Sequence, residues 1–122
     1  ADLAISAIKA SNLVLIPVQP SPYDIWAASD LVDLVKQRIE MTDGRLKAAF
    51  VVSRAIKNTK IGAEIREALE GYGLPVLAAR VTQSVAYPST AAAGTTVLDA
   101  EPNSNAAQEI RDLADEVLEL LK

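Results

Sequence analysis

Residues 13–18 read Leu13-Val14-Leu15-Ile16-Pro17-Val18, and the reading of this stretch decides the fold. A continuous apolar run of this length, without helical spacing, fits a strand covered on both faces. Pro17 removes a ladder donor, so the strand is expected to end near residue 17 and to leave a stiff loop behind it. A helix start follows: Ser21 as N-cap, Pro22 at the first helical position, and Asp24 where a carboxylate meets the positive end of the helix dipole. Ile25, Ala28, Val32, Val35 and Ile39 then step by three and four, which predicts a helix over 22–40. Ahead of the strand, residues 2–10 predict a weak helix with Leu3, Ala4, Ala7 and Ile8 on one face, ending near Ser11-Asn12.

The same alternation continues to the end of the chain. Asp43-Gly44 marks a turn, and Ala48 to Val52 is a second buried strand. Asn58 or Thr59 caps a helix that turns Ile61, Ile65, Ala68 and Leu69 inward and closes at Gly71 or Gly73. Val76 to Val81 is a third strand, entered through Pro75. Val85 to Ala93 predicts a short helix stopped by Gly94, and residues 101–105 a loop. The last helix is expected over 106–121, with Asn105 and Gln108 as a capping box and Ile110, Leu113, Ala114, Val117 and Leu121 on its core face. Strands alternating with helices across short loops mean an α/β fold with a parallel sheet and right-handed crossovers.

In such sheets ligands gather beyond the carboxyl ends of the strands. Gln19 to Asp24, Ser53-Arg54 and Thr82-Gln83-Ser84 are therefore expected side by side. Three strands are few, and an apolar strand at an open edge invites pairing with another chain, so the segment reads as the second half of a larger sheet. The chain opens at Ala1 and its single Met is Met41, which leads to the expectation that these residues are the later part of a longer polypeptide.

Composition closes many routes. The 122 residues carry 12 Lys+Arg against 16 Asp+Glu, a net charge of −4, with neither His nor Cys. That removes the commonest general base, thiolate nucleophiles and Cys-ligated metal centres, and makes a Ser-His-Asp hydrolase impossible. No catalytic residue and no metal ligand set can be named. Neither a G-x-x-x-x-G-K-[ST] loop nor a G-x-G-x-x-G turn is present, so nothing in the chain cradles a phosphate by the glycine route. No apolar run reaches the roughly 18–20 residues that span a bilayer, and residues 1–10 lack the features of a signal peptide; a cytoplasmic protein is the expectation.

The charges are unevenly spread. Asp99, Glu101, Glu109, Asp112, Asp115, Glu116 and Glu119 crowd the last part of the chain and read as the solvated face of a terminal helix. Arg45, Lys47, Arg54, Lys57, Lys60 and Arg66 face Glu64 alone, a basic stripe that reads either as a solvated helix start or as a contact surface for anions or nucleic acid. Arg54 stands apart, because it lies just past a strand at the ligand edge.

LVLIPVQPSPYD (13–24), FVVSR (50–54) and RVTQSVAYPS (80–89), in this order and spacing, resemble the carboxyl-terminal part of the ParA/MinD family of deviant Walker-type ATPases. The likeness is greatest to the small plasmid-partition ParA proteins. It covers the whole chain and implies a three-layer parallel sheet of the P-loop NTPase type, of which residues 1–122 would be the carboxyl-terminal part of a single domain. The family's glycine-rich phosphate loop and Walker B aspartate have no counterpart here.

The resemblance implies that the complete protein binds ATP and Mg2+, forms a homodimer, binds DNA non-specifically and hydrolyses ATP when stimulated by a centromere-binding partition protein, near the nucleoid and without a membrane anchor. By itself this chain is expected to be inactive. Carried over by position, Ser53, Arg54, Thr82 and Gln83 would border the base, and Pro20, Ser21, Pro22 and Asp24 would form the loop near nucleotide and dimer interface. Arg80, Lys57 and Lys60 are the candidates for DNA contact on charge. Two other readings stand beside this one: a stand-alone flavodoxin-like α/β protein-interaction module, and a small transferase using Arg54 as an anion anchor.

Overall fold

The computed structural model describes residues 2–55 and 61–122. Its three strands, β1 (Leu13–Val18), β2 (Lys47–Ala55) and β3 (Val76–Thr82), form one parallel sheet in the order β1-β2-β3. The helices are α1 (Asp2–Ala10), α2 (Pro22–Ala27), α3 (Ser29–Met41), α4 (Ile61–Glu70), α5 (Ala86–Ala92), α6 (Val97–Ala100) and α7 (Asn105–Leu121). The α/β class with a parallel sheet flanked by helices is as the sequence implies.

Alternation along the strands divides the core into two layers. Ile16 and Val18 of β1, Ala48, Phe50 and Val52 of β2 and Val76 of β3 pack with Ile8, Ile25, Ala28, Val32, Val35, Ile65 and Leu69 from α1 to α4. On the opposite face Ala49, Val51 and Leu77 meet Leu113 and Leu120 of α7. The sheet is thus the middle of three layers. Tyr72 fastens the first layer from within, its ring 6.0 Å from Phe50 and its hydroxyl donating to the Ile25 carbonyl at 2.8 Å.

The predicted helix over 22–40 is split at Ala28 into α2 and α3, but its stripe holds: Ile25, Ala28, Val32 and Val35 are buried. Strand β1 runs one residue further than expected. The Asn12 carbonyl accepts the Lys47 N–H, so by alternation Pro17 turns its donorless nitrogen to the open edge, where nothing is lost. Strand β2 continues through Ser53 and Arg54 to Ala55. In α1 only Ile8 is buried while Leu3 is 83% exposed, so the expected face is largely wrong.

The carboxyl-terminal region departs most. Ser104, and not Asn105, caps α7, its hydroxyl accepting the Ala107 N–H at 3.1 Å, and Gln108 donates to Asp112. The inner face of α7 runs through Ala106, Ala107, Ile110, Leu113 and Leu120, whereas Ala114 and Leu121 are exposed. Ala68 of α4 is exposed as well. The short helix α6 lies where no helix was expected. The proposed caps Asn58 and Thr59, and the side chain of Ile61, lie outside the described residues.

Candidate functional site

All three strands end on the same side of a parallel sheet, and the last residues of β2 and β3 meet there with the segment that follows β3. Ser53, Arg54, Val81, Thr82, Gln83, Ser84, Val85, Tyr87 and Pro88 line an open cleft of about 560 Å³. That size lies within the usual range for small-molecule sites.

Arg54 owes its position to an irregularity of the backbone. Ser53 pairs with Val81 and Ala55 with Thr82, leaving Arg54 as an extra residue between them. Its φ of 51° lies in the left-handed region, where glycine is at ease and an arginine costs roughly 1–2 kcal/mol. The Gln83 N–H, bonded to the Ala55 carbonyl at 3.1 Å, then carries β3 past the bulge. A strained, exposed cation at the end of the central strand is the kind of outlier that clusters at functional sites.

Helix α7 does not line the cleft but stands behind Thr82 and Tyr87, which do. Glu109 accepts the Thr82 N–H at 3.0 Å, the Thr82 hydroxyl at 2.9 Å and the Tyr87 hydroxyl at 3.1 Å. Burial first, then the hydrogen bond to Glu109 and its negative charge, push the Tyr87 hydroxyl up to about 12 from its ordinary 10.0. One turn pair further along, Glu116 accepts the Ala78 N–H at 2.9 Å and the Ala79 N–H. These two glutamates are not part of a solvated face. They accept the amides of Ala78, Ala79 and Thr82 along β3, beyond which no strand pairs among the described residues. The signal was present in the sequence: Glu109 and Glu116, seven residues apart, flank the stripe Ile110, Leu113, Val117 and Leu120.

The sequence-derived candidates therefore separate. Ser53, Arg54, Thr82 and Gln83 share the cleft. Pro20, Ser21, Pro22 and Asp24 do not line it; they build the start of α2, with the Ser21 hydroxyl accepting the Tyr23 N–H. Arg80 is half-buried and donates to the Gly62 carbonyl at 3.3 Å. Lys57 and Lys60 lie outside the described residues. The rest of the basic stripe does not converge: Arg45 and Lys47 sit at the opposite end of β2 from Arg54, and Arg66 spends its guanidinium on Glu70 and the carbonyls of Val76 and Leu77. Tyr87 and Glu109 are the residues that reasoning from sequence left out of the site.

Polar side chains, apolar walls and one cation, Arg54, line the cleft. The sequence has no glycine-rich phosphate loop, and the described residues include no group of three or more His, Cys, Asp or Glu side chains placed to hold a metal. Among the described residues no helix is long and apolar enough to cross a membrane.

No family model matches the sequence. Among curated proteins, the chain is 29% identical over 120 residues to the Maintenance of carboxysome distribution protein A of Halothiobacillus neapolitanus. The match takes in 96% of this chain and 55% of that protein, so the chain spans about half the length of the curated relative.

Proposed function

We propose that this chain is the base-framing, carboxyl-terminal part of a ParA-like ATPase domain whose complete form distributes a cellular cargo. The observation that carries this reading is the convergence of Ser53 and Arg54 from β2 with Thr82 and Gln83 from β3 on one cleft. Its support beyond geometry is twofold: the ordered segments 13–24, 50–54 and 80–89, and the similarity to a protein named for maintaining carboxysome distribution. That name favours positioning of a large body over plasmid or chromosome partition as the role.

In this proposal ATP and Mg2+ bind the complete protein, with the phosphates and metal held outside these residues. Dimerisation with nucleotide, non-specific DNA binding over the nucleoid and stimulation of hydrolysis by a partner protein belong to that complete form in the cytoplasm. The chain itself frames the base and performs no chemical step.

Titration of the chain with adenosine and with Mg-ATP, followed by amide chemical shifts, tests the assignment. Millimolar binding of both ligands, with shifts centred on Thr82, Gln83 and Arg54, is expected. Tight binding of Mg-ATP by these residues alone, or no shift at any of the three positions, would overturn it.

A further inference from the structure

Two surfaces away from the cleft complement each other in shape and charge. Helices α1 and α3 pack side by side on one face of the sheet and leave an open groove of about 270 Å³ between them. Ile5, Ile8, Leu34 and Met41 give it apolar walls, and Lys9 and Arg38 border it. Met41 is 71% exposed. The same two cations line a polar hollow beside the groove, where Arg45 joins them, and no carboxylate lines either space. Lys9 and Arg38 lie in the last turns of their helices, where a cation suits the negative end of the dipole and keeps its own donors free. Among the described residues none of the three cations is in an ion pair, although the chain carries a net charge of −4.

The counterpart is on α7, which covers the other face of the sheet. Leu118 and Leu121 are 61% and 49% exposed and stand three residues apart, hence on one stripe of the helix. Asp115 begins the same stripe and Glu119 flanks it, both exposed. Leucines set among carboxylates are what an apolar groove bordered by unpaired cations would take up: the side chains enter the groove, and the acids meet Lys9 and Arg38. Both surfaces lie toward the amino end of the sheet. Helix α7 passes Thr82 at Glu109 and Ala78 at Glu116, and the hollow beside the groove takes in Asn12 and Leu46, just ahead of β1 and β2. Being on opposite faces, the groove and α7 of one copy do not reach each other.

We infer that the groove between α1 and α3 receives the exposed turn of α7 around Leu118 from a second copy of this chain, joining copies head to tail. Such a contact is heterologous, so each copy keeps one free groove and one free helix for the next. It leaves the cleft at the carboxyl ends of the strands open, and it stands whether or not that cleft takes a nucleobase.

Sedimentation equilibrium of the 122-residue chain tests this. A single helical turn in a groove is a small interface, so concentrations from roughly 0.05 to 1 mM are the useful range. The weight-average mass is expected to rise steadily with concentration. Met41→Glu spoils the groove and Leu118→Glu spoils the helix; both side chains are exposed, and urea midpoints check that each variant stays folded. Each is expected to weaken association at least roughly tenfold. Mixed in equal amounts, the two variants share one intact groove and one intact helix, so the mass should climb to that of a pair and stop there. A monomer throughout the range, association that survives either substitution, or a mixture that stays monomeric or grows past a pair overturns the inference.

Discussion

Glu116 holds the rim of the sheet at Ala78, accepting that residue's N–H at 2.9 Å while its other carboxylate oxygen takes the N–H of Ala79. Two consecutive amides point outward because β3 bulges: Phe50 pairs with Val76 but Val52 with Arg80. Removing the carboxylate leaves the part-buried Ala79 donor without its acceptor at the seam with α7, while the exposed Ala78 donor turns to water. Glu116→Ala is expected to lower stability by about 1–3 kcal/mol, and Glu116→Gln by less, because one acceptor oxygen remains. Urea unfolding midpoints of the three proteins decide it, and indistinguishable midpoints would show that water serves the two amides equally well.

The alkaline limb of stability has a named source. The Tyr87 hydroxyl titrates near 12 in the folded chain and near 10.0 when exposed. A group whose folded value is raised keeps its full contribution below the unfolded value and loses it as pH climbs to the folded one. Stability should therefore decline between about pH 10 and 12, and Tyr87→Phe should flatten that decline relative to the unaltered chain. Urea midpoints taken from pH 8 upward for both proteins, compared pairwise, cancel the titration of other groups.

Arg54 trades backbone strain for position. Arg54→Gly relieves the φ of 51° but enlarges the freedom of the unfolded chain, for an expected net gain of up to about 1 kcal/mol. Arg54→Ala keeps the strain and should gain nothing. Both variants should weaken adenosine binding. Thermal melts alongside nucleoside titrations separate the two effects; a glycine variant less stable than the alanine variant would contradict the strain.

Pro17 guards the free rim of β1. Its ring leaves no N–H to offer an incoming strand, and the residue is exposed. Pro17→Val restores a donor and adds a β-branched side chain, so light scattering should show more dimer or larger species at high concentration than for the unaltered chain. Unchanged mass for the variant over that range would mean that the rim is protected by something other than proline.

Much of this architecture was legible because strands and helices announce themselves by different periods. The run 13–18, the stripe from Ile25 to Val35 and the Ser21-Pro22 start all fall where spacing places them. The readings failed where tertiary packing decides between local equals. Ser104 and Asn105 are both good caps, and only the packing of Ala106 and Ala107 selects the first. Arg54 inside a strand contradicts local preference, and no propensity foresees a bulge that the neighbouring strand imposes. Half of the candidate site, the ends of β2 and β3, could be read from topology; the other half, Tyr87 with Glu109, became clear only from the packing of α7 along the sheet. Glutamates on the rim of an apolar stripe look solvated until the sheet margin they serve is known.

Glu109 answers to two demands at once, holding the Thr82 amide for the fold and the Thr82 hydroxyl for the cleft. Mutational drift at this one position cannot reshape the cleft wall at Thr82 without loosening the scaffold, nor shore up the scaffold without disturbing that wall. A lineage that reshaped this cleft would have to rebuild α7 along with the segment after β3, so the two should vary in concert.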